Sequence, residues 1–120
     1  MPTVLVIDDE IEVVEFLCNF LKRFNITAHK AVNGEGAIKA FAKEKAEWLF
    51  LDIKMPDMDG FDVLKSIKKM DPGVQTIMIT GRDDKESQKK AKNLGAIDYI
   101  IKPLDLEELH QKVQMYILKK

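Results

Sequence analysis

Five short strand-like runs alternate with five segments of helical period along 120 residues, and this alternation constrains the fold more than any other feature. Four of the runs are apolar and each ends in a polar residue. Val4-Leu5-Val6-Ile7 leads into Asp8-Asp9, Trp48-Leu49-Phe50-Leu51 into Asp52, and Ile77-Met78-Ile79 into Thr80. Ile97-Asp98-Tyr99-Ile100-Ile101 leads into Lys102-Pro103. Short apolar runs bounded by polar or turn residues predict strands buried on both faces. The remaining run, Ile26 to Val32, is more polar and suits a sheet edge. Between the strands, Ile11, Val14, Phe16, Leu17, Phe20, Leu21 and Phe24 recur at helical spacing, predicting a first helix from about Glu10 to Phe24. Asn33-Gly34 breaks the chain before a second helix marked by Ala37, Ile38, Phe41 and Ala42. Asp59-Gly60 opens a third, with Phe61, Leu64 and Ile67 inward and Asp71-Pro72-Gly73 stopping it. A fourth, from about Asp84 to Leu94, is mostly polar; Ala91 and Leu94 are its main apolar contacts and Gly95 ends it. Leu106, Leu109, Val113, Tyr116 and Ile117 define the last.

This order predicts an α/β architecture, with a parallel sheet covered on both faces by helices in right-handed crossovers. Five strands suit the doubly wound, flavodoxin-like (βα)5 order 2-1-3-4-5, whose switch point lies between strands 1 and 3. The carboxyl ends of parallel strands share one edge, so Asp8, Asp9, Asp52, Thr80 and Lys102 converge there. Three carboxylates, a hydroxyl and an ammonium suit Mg²⁺ and phosphoryl chemistry. Mg²⁺ is a hard ion that takes carboxylate oxygens and keeps part of its water shell. Without a cation, carboxylates so placed raise at least one pKa among them. A single Asp at a strand end reads more readily as a turn residue or helix cap; the convergence from different core strands favours a site.

The length is that of one domain, residues 1–120. Lys plus Arg number 19 against 20 for Asp plus Glu, so the net charge of −1 gives no footprint for direct nucleic-acid binding. No apolar stretch approaches the roughly 20 residues that span a bilayer, so no membrane role is expected. The chain enters a strand pattern directly after Met1-Pro2, without a signal peptide, and runs to Lys119-Lys120 without an output domain. Cys18 is the sole cysteine, which excludes an intramolecular disulfide and fits a reducing cytoplasm. Nothing near it in sequence would activate the thiol, so it reads as a packed helix residue. His29 and His110 fall on an edge strand and a surface helix, away from the strand-end site.

The segments Val6-Ile7-Asp8-Asp9-Glu10, Leu51-Asp52-Ile53-Lys54-Met55-Pro56-Asp57-Met58-Asp59-Gly60, Ile79-Thr80-Gly81 and Gly95-Ala96-Ile97-Asp98-Tyr99-Ile100-Ile101-Lys102-Pro103 occur in this order. In these segments, and over its full length, the chain resembles the response-regulator receiver domain of two-component signalling. The resemblance implies that Asp52 accepts a phosphoryl group from a sensor histidine kinase or histidine phosphotransfer protein. Asp8, Asp9, Asp52 and the Lys54 backbone carbonyl would hold Mg²⁺. Thr80 and Lys102 would contact phosphoryl oxygens, and Tyr99 would turn inward behind Thr80. The peptide bond at Lys102-Pro103 would be cis. The face built from helix 4, strand 5 and helix 5 would engage an output partner. Such a chain is a signalling receiver and not a turnover enzyme.

The chemistry is consistent with these roles. A carboxylate oxygen can attack phosphorus to give an aspartyl phosphate, and the transfer mainly needs alignment and charge neutralisation. Gly81 leaves space beside Thr80. Two new hydrogen bonds to a charged group, at about 1.5–3 kcal/mol each, approach the roughly 5.5 kcal/mol that inverts a 1:99 equilibrium. Lys54 and Arg82, two residues after Asp52 and Thr80, stand where the family modulates phosphoryl lifetime, and two long cations there would screen the acyl phosphate from water. Ile97 replaces the first acid of a double acid before the Tyr, and Lys112 holds the helix 5 partner position. The usual dimer of the DNA-binding subfamily is therefore disfavoured.

Three other readings compete. A Mg²⁺-dependent hydrolase with an aspartate nucleophile wants Asp-x-Asp after strand 1, where the chain has Asp8-Asp9-Glu10; Asp57-x-Asp59 lies in a later loop and suits turn or cap roles. A flavin or dinucleotide binder needs a phosphate loop after strand 1, which an acidic loop would repel; Gly34-x-Gly36 reads as a turn. A phosphorylation-independent interaction module is the third, though no residue of the pocket is degraded.

Overall fold

The computed structural model describes residues 2–119; the expectations attached to Met1 and Lys120 lie outside them. Five parallel strands form one sheet in the order β2-β1-β3-β4-β5, with β1 (Thr3–Ile7), β2 (Thr27–Ala31), β3 (Trp48–Leu51), β4 (Gln75–Thr80) and β5 (Asp98–Ile101). Central β1, β3 and β4 are buried almost throughout, as their continuous apolar runs require. β2 lies at an edge and is mostly half-buried, which accounts for its polar sequence. The pairs Ile7↔Leu51, Leu51↔Met78 and Thr80↔Ile101 set the register. The ladder continues past the strand ends: Asp8 N–H donates to Ala31 O at 3.1 Å and Asp52 N–H to Ile7 O at 3.0 Å. These two carboxylates therefore leave the sheet on rigid backbone.

Side chains alternate across the sheet into two cores. Val4, Val6, Trp48, Phe50, Ile77, Ile79 and Ile100 pack against α1 (Ile11–Lys22) and the last helix, α5, which begins at Leu106–Lys112. Leu5, Ile7, Leu49, Leu51 and Met78 pack against α2 (Gly34–Glu44), α3 (Gly60–Met70) and Ala91 of α4 (Lys85–Asn93). The layers are those of the flavodoxin-like fold, and none of the helices is long and apolar enough to cross a membrane among the described residues.

Several local expectations need correction. α1 starts at Ile11 with Glu10 as its N-cap, and Ile11 and Phe16 stay exposed, so its apolar stripe is wider than the core needs. Gly34-x-Gly36 is not a free turn but the first turn of α2: the Asn33 side chain accepts a hydrogen bond from Gly36 N–H at 2.6 Å. α5 is regular only to Lys112, and Val113–Leu118 continues as π-helix, a widening that side-chain spacing did not reveal. Cys18 is buried and free, and burial pushes its thiol pKa up. His29 lies 3.7 Å from the Glu44 carboxylate, while His110 packs beside Phe24, ring centroids 5.1 Å apart.

Thr76 on β4 is fully buried, and its hydroxyl is without a partner among the described residues. An unmade buried hydrogen bond costs about 1–3 kcal/mol, and valine keeps the shape without the polar atom. Thr76→Val is therefore expected to stabilise the fold by about 1 kcal/mol. A denaturant midpoint that moves down would contradict this.

Candidate functional site

The site forms where β1, β3, β4 and β5 end. Asp8 and Asp52 are the residues that follow β1 and β3, and both are at least nine-tenths buried (2 % and 5 % exposed). Thr80, the last residue of β4, is 1 % exposed. Lys102 follows β5, and its N–H donates to Thr80 O at 2.9 Å, which ties the lysine to the end of β4. The Lys102–Pro103 peptide bond is cis, as the resemblance implied.

Lys102 is the electrostatic centre. Its Nζ lies 2.7 Å from Asp8 Oδ2, 3.1 Å from Asp52 Oδ2 and 3.3 Å from Glu10 Oε1. Burial alone would lower its pKa, but hydrogen bonds and charge from Asp8 and Asp52 together outweigh burial and hold the ammonium well above its ordinary value. It is charged at any physiological pH. For Asp8 the balance is reversed. Burial dominates and raises its carboxyl pKa, with the Asp52 charge adding to the rise, although Lys102 and the Glu10 N–H oppose it. One ammonium does not fully compensate this group of acids.

The two oxygens of Asp52 are unlike. Oδ1 accepts from Ile53 N–H at 2.7 Å and is fixed by the backbone. Among the described residues, Oδ2 accepts only from the Lys102 ammonium, at 3.1 Å. The fixed oxygen sets the carboxylate plane, and the other remains available for chemistry. Asp8 Oδ1 likewise accepts from Glu10 N–H at 2.9 Å. Oxygens of Asp8, Asp9 and Glu10 lie within 4.8 Å of one another, a hard-oxygen set that fits Mg²⁺. Glu10 was not expected in this group; its place directly after the acid pair was the available signal. Asp52 is not in that set; its Oδ2 and Asp8 Oδ2 share the Lys102 ammonium, at 3.1 and 2.7 Å.

Gly60 fixes the approach of α3. A Cβ there would collide with the Asp52 carbonyl and lie 2.8 Å from Ile53 Cα. Gly60 N–H also donates to Ile53 O at 2.6 Å. In contrast, a Cβ at Gly81 would meet nothing within 4 Å, so the space beside Thr80 is open as expected.

The remaining expected residues lie around this centre. Thr80 Oγ1 accepts from Arg82 N–H at 3.4 Å, and among the described residues no hydrogen bond joins it to Asp52. Tyr99 is half-buried, its hydroxyl donates to Arg82 O at 2.6 Å, and burial pushes its pKa up to about 12. Lys54 and Arg82 are both exposed, and Arg82 turns toward Asp84, 3.8 Å away. Asp57 and Asp59 are caps: Asp57 accepts from Gly34 and Glu35 N–H at 2.8 and 2.9 Å, and Asp59 from Asp62 N–H at 3.0 Å. That use removes the Asp-x-Asp motif from consideration as a nucleophile pair. Asp57 capping α2 from another loop was not visible in sequence.

Comparison with known proteins agrees with this geometry. The model of the response regulator receiver domain matches residues 4–114. Sporulation initiation phosphotransferase F of Bacillus subtilis is 29% identical over 95% of this chain and 92% of its own length. Other curated relatives are longer, and this chain spans from 24% to 48% of them. A two-component response regulator from Clostridium difficile superposes with a TM-score of 0.90 at 32% identity, covering 96% of this chain and 94% of that one. Response regulator TrrA of Thermotoga maritima, solved in complex with Mg²⁺ and BeF, gives 0.84 at 30% identity over 96% and 98% of the two chains. With a matched region that takes in all five strands but for Thr3, together with the whole strand-end site, the chain belongs to the family of response regulator receiver domains.

Proposed function

We propose that residues 1–120 act as one receiver domain, in the cytoplasm, that takes a phosphoryl group onto Asp52 and reports it to an output partner. The donor is a sensor histidine kinase or a histidine phosphotransfer protein. The observation that carries this reading is the asymmetry of buried Asp52, whose Oδ1 is anchored by the Ile53 N–H while Oδ2 faces Lys102. Oδ2 attacks phosphorus, the P–N bond to the donor imidazole breaks, and the imidazole nitrogen keeps the electron pair. Asp8, Asp9 and Asp52, with the Lys54 carbonyl, would hold Mg²⁺, which supplies charge neutralisation at the transferring group. Glu10 stands close enough to join that set directly or through water. Lys102 leaves the Asp52 carboxylate for a phosphoryl oxygen, a move of a flexible side chain that is already in place.

Thr80 and Tyr99 convert that chemistry into a signal. Thr80 rotates from the Arg82 N–H toward the phosphoryl group, and Tyr99 holds the following loop through the Arg82 carbonyl. Thr80→Ala is expected to keep phosphorylation at near wild-type extent but to shrink the amide shifts that beryllofluoride produces around Tyr99. Full wild-type shifts in the variant would refute this coupling. Lys54 and Arg82 flank the entrance and slow hydrolysis of the acyl phosphate.

Incubation with acetyl phosphate, with and without Mg²⁺, followed by intact mass measurement tests the function. A Mg²⁺-dependent gain of one phosphoryl group is expected. Steady release of inorganic phosphate without a phosphorylated protein would favour a hydrolase instead.

A further inference from the structure

β2 forms the sheet edge farthest from β5, and among the described residues it pairs only with β1. Thr27 N–H donates to Pro2 O at 3.0 Å, and Ala31 O accepts from Asp8 N–H at 3.1 Å. In a parallel ladder alternate residues turn their backbone toward the same neighbour, so Thr27, His29 and Ala31 face β1. Ala28 and Lys30, between them, direct their N–H and C=O groups away from the sheet. Among the described residues no other segment hydrogen-bonds to these four groups. Such a row is a template for a strand from another chain.

The two faces of β2 differ in cover. On the α2 face, Ala31 is buried in the core and His29 lies 3.7 Å from Glu44. On the α1 face, a groove of about 490 Å³ opens between the strand and the helix. Buried Cys18 and Ile26, with the short side chain of Ala28, give it an apolar floor. Lys22 from α1 and Lys30 from β2 line its sides, and both are exposed. Among the described residues neither lysine has a carboxylate within ion-pair distance. Glu15 is the acid whose charge reaches the Cys18 thiol, and Lys30 opposes it there. The groove therefore joins unpaired backbone, a small apolar floor and an excess of positive charge.

We infer that this edge binds an extended acidic segment of another protein as a sixth strand. Main-chain hydrogen bonds to Ala28 and Lys30 supply affinity, and the groove supplies selectivity for alternate side chains. Carboxylates meet Lys22 and Lys30, and small apolar side chains cover Ala28 and Ile26. Charge decides against a second copy of this chain as the occupant. Two-fold antiparallel pairing of β2 with itself would set both copies of Lys22 and Lys30 on one face, where like charges repel. Lysine on an edge strand guards against such self-pairing, and an acidic strand turns the repulsion into attraction. β2 and β5 lie at opposite edges of the sheet, so this binding is independent of the phosphoryl chemistry at Asp52.

A random phage-displayed peptide library selected on the unphosphorylated chain tests it. Enriched peptides, synthesised with a fluorophore, are then titrated by anisotropy, and amide hydrogen exchange of the complex maps the contact. Asp or Glu alternating with small or aliphatic residues is expected, with slowed exchange at the Ala28 and Lys30 amides. N-methylation of one set of alternate peptide nitrogens should weaken binding by about tenfold or more, and of the other set should leave it unchanged, because only one side of the added strand faces β2. Lys22→Glu with Lys30→Glu should also weaken binding by about tenfold or more, and added salt should weaken it further. The milder pair Lys22→Gln with Lys30→Gln should lose part of that affinity, which guards against a misfolded charge-reversed variant. Absence of binders, a neutral or basic consensus, or slowed exchange confined to other segments would overturn the inference. So would equal tolerance of N-methylation at both sets, unchanged affinity in the lysine variants, or self-association of the chain through β2.

Discussion

Lys102→Met is expected to lower folding stability by about 3 kcal/mol near neutral pH, because removing one partner of a buried ionic group leaves charge uncompensated. The variant leaves Asp8 and Asp52 buried against each other without the ammonium that lies 2.7 and 3.1 Å from them. The pH dependence gives the sign. Asp8 already has its pKa raised by burial and by the Asp52 charge, and Lys102 supplies the main opposition. Without Lys102 that pKa rises further. A carboxyl whose folded pKa lies above its unfolded value favours folding below the unfolded pKa, and this contribution is lost as pH rises through the folded value. The lysine itself stays protonated throughout this range, so its own titration adds no slope. The gap between variant and wild type should therefore be larger at neutral pH than in mild acid, where the raised Asp8 carboxyl takes up its proton. Chemical denaturation in the two conditions measures it. A gap that widens in acid would show that Lys102 does not offset Asp8.

Gly60→Ala should damage function through the backbone that carries Asp52. The added Cβ meets the Asp52 carbonyl and the Ile53 backbone, neither of which can rotate away. Forcing an atom into packed backbone costs about 3 kcal/mol at the upper end of ordinary overpacking. Relief requires α3 to withdraw or the end of β3 to shift, and either motion moves Asp52. A displacement of about 1 Å at a reacting group can cost on the order of a hundredfold in rate. Acetyl phosphate kinetics on the folded fraction, with Gly81→Ala as the control that meets open space, separate the two effects. Equal phosphorylation rates in both variants would show that the Gly60 contact does not position the acceptor.

The sheet was legible because central parallel strands must be apolar on both faces, and the runs ending at Asp8, Asp52, Thr80 and Lys102 have no other comfortable use. The strand-end convergence followed from topology alone. What sequence did not reveal was set by contacts between distant segments. Asp57 caps α2 across a gap of 23 residues to Gly34, so its role depends on two loops meeting. The Gly60 contact requires knowing that α3 begins against the end of β3. The π-helical turn at Val113–Leu118 leaves the apolar spacing of α5 nearly unchanged, and Tyr116 reaches Asp98 only once the helix is placed. Glu10 was overlooked because an exposed acid at a helix start reads as a cap, whereas its carboxylate lies 3.3 Å from Lys102. The sequence also located Thr80 and Tyr99 on their strands without showing that both engage Arg82 backbone.

The phosphorylated state rests on one atom pair, the bond between Asp52 Oδ2 and phosphorus. Reaction with acetyl phosphate and Mg²⁺, reduction of the acyl phosphate with borohydride, and peptide mass mapping locate that bond directly, since reduction leaves homoserine in place of the phosphorylated aspartate. Homoserine is expected at position 52 alone, and none when Mg²⁺ is withheld. Homoserine at Asp8, Asp9 or Asp57, or an unmodified Asp52 in phosphorylated protein, would contradict it.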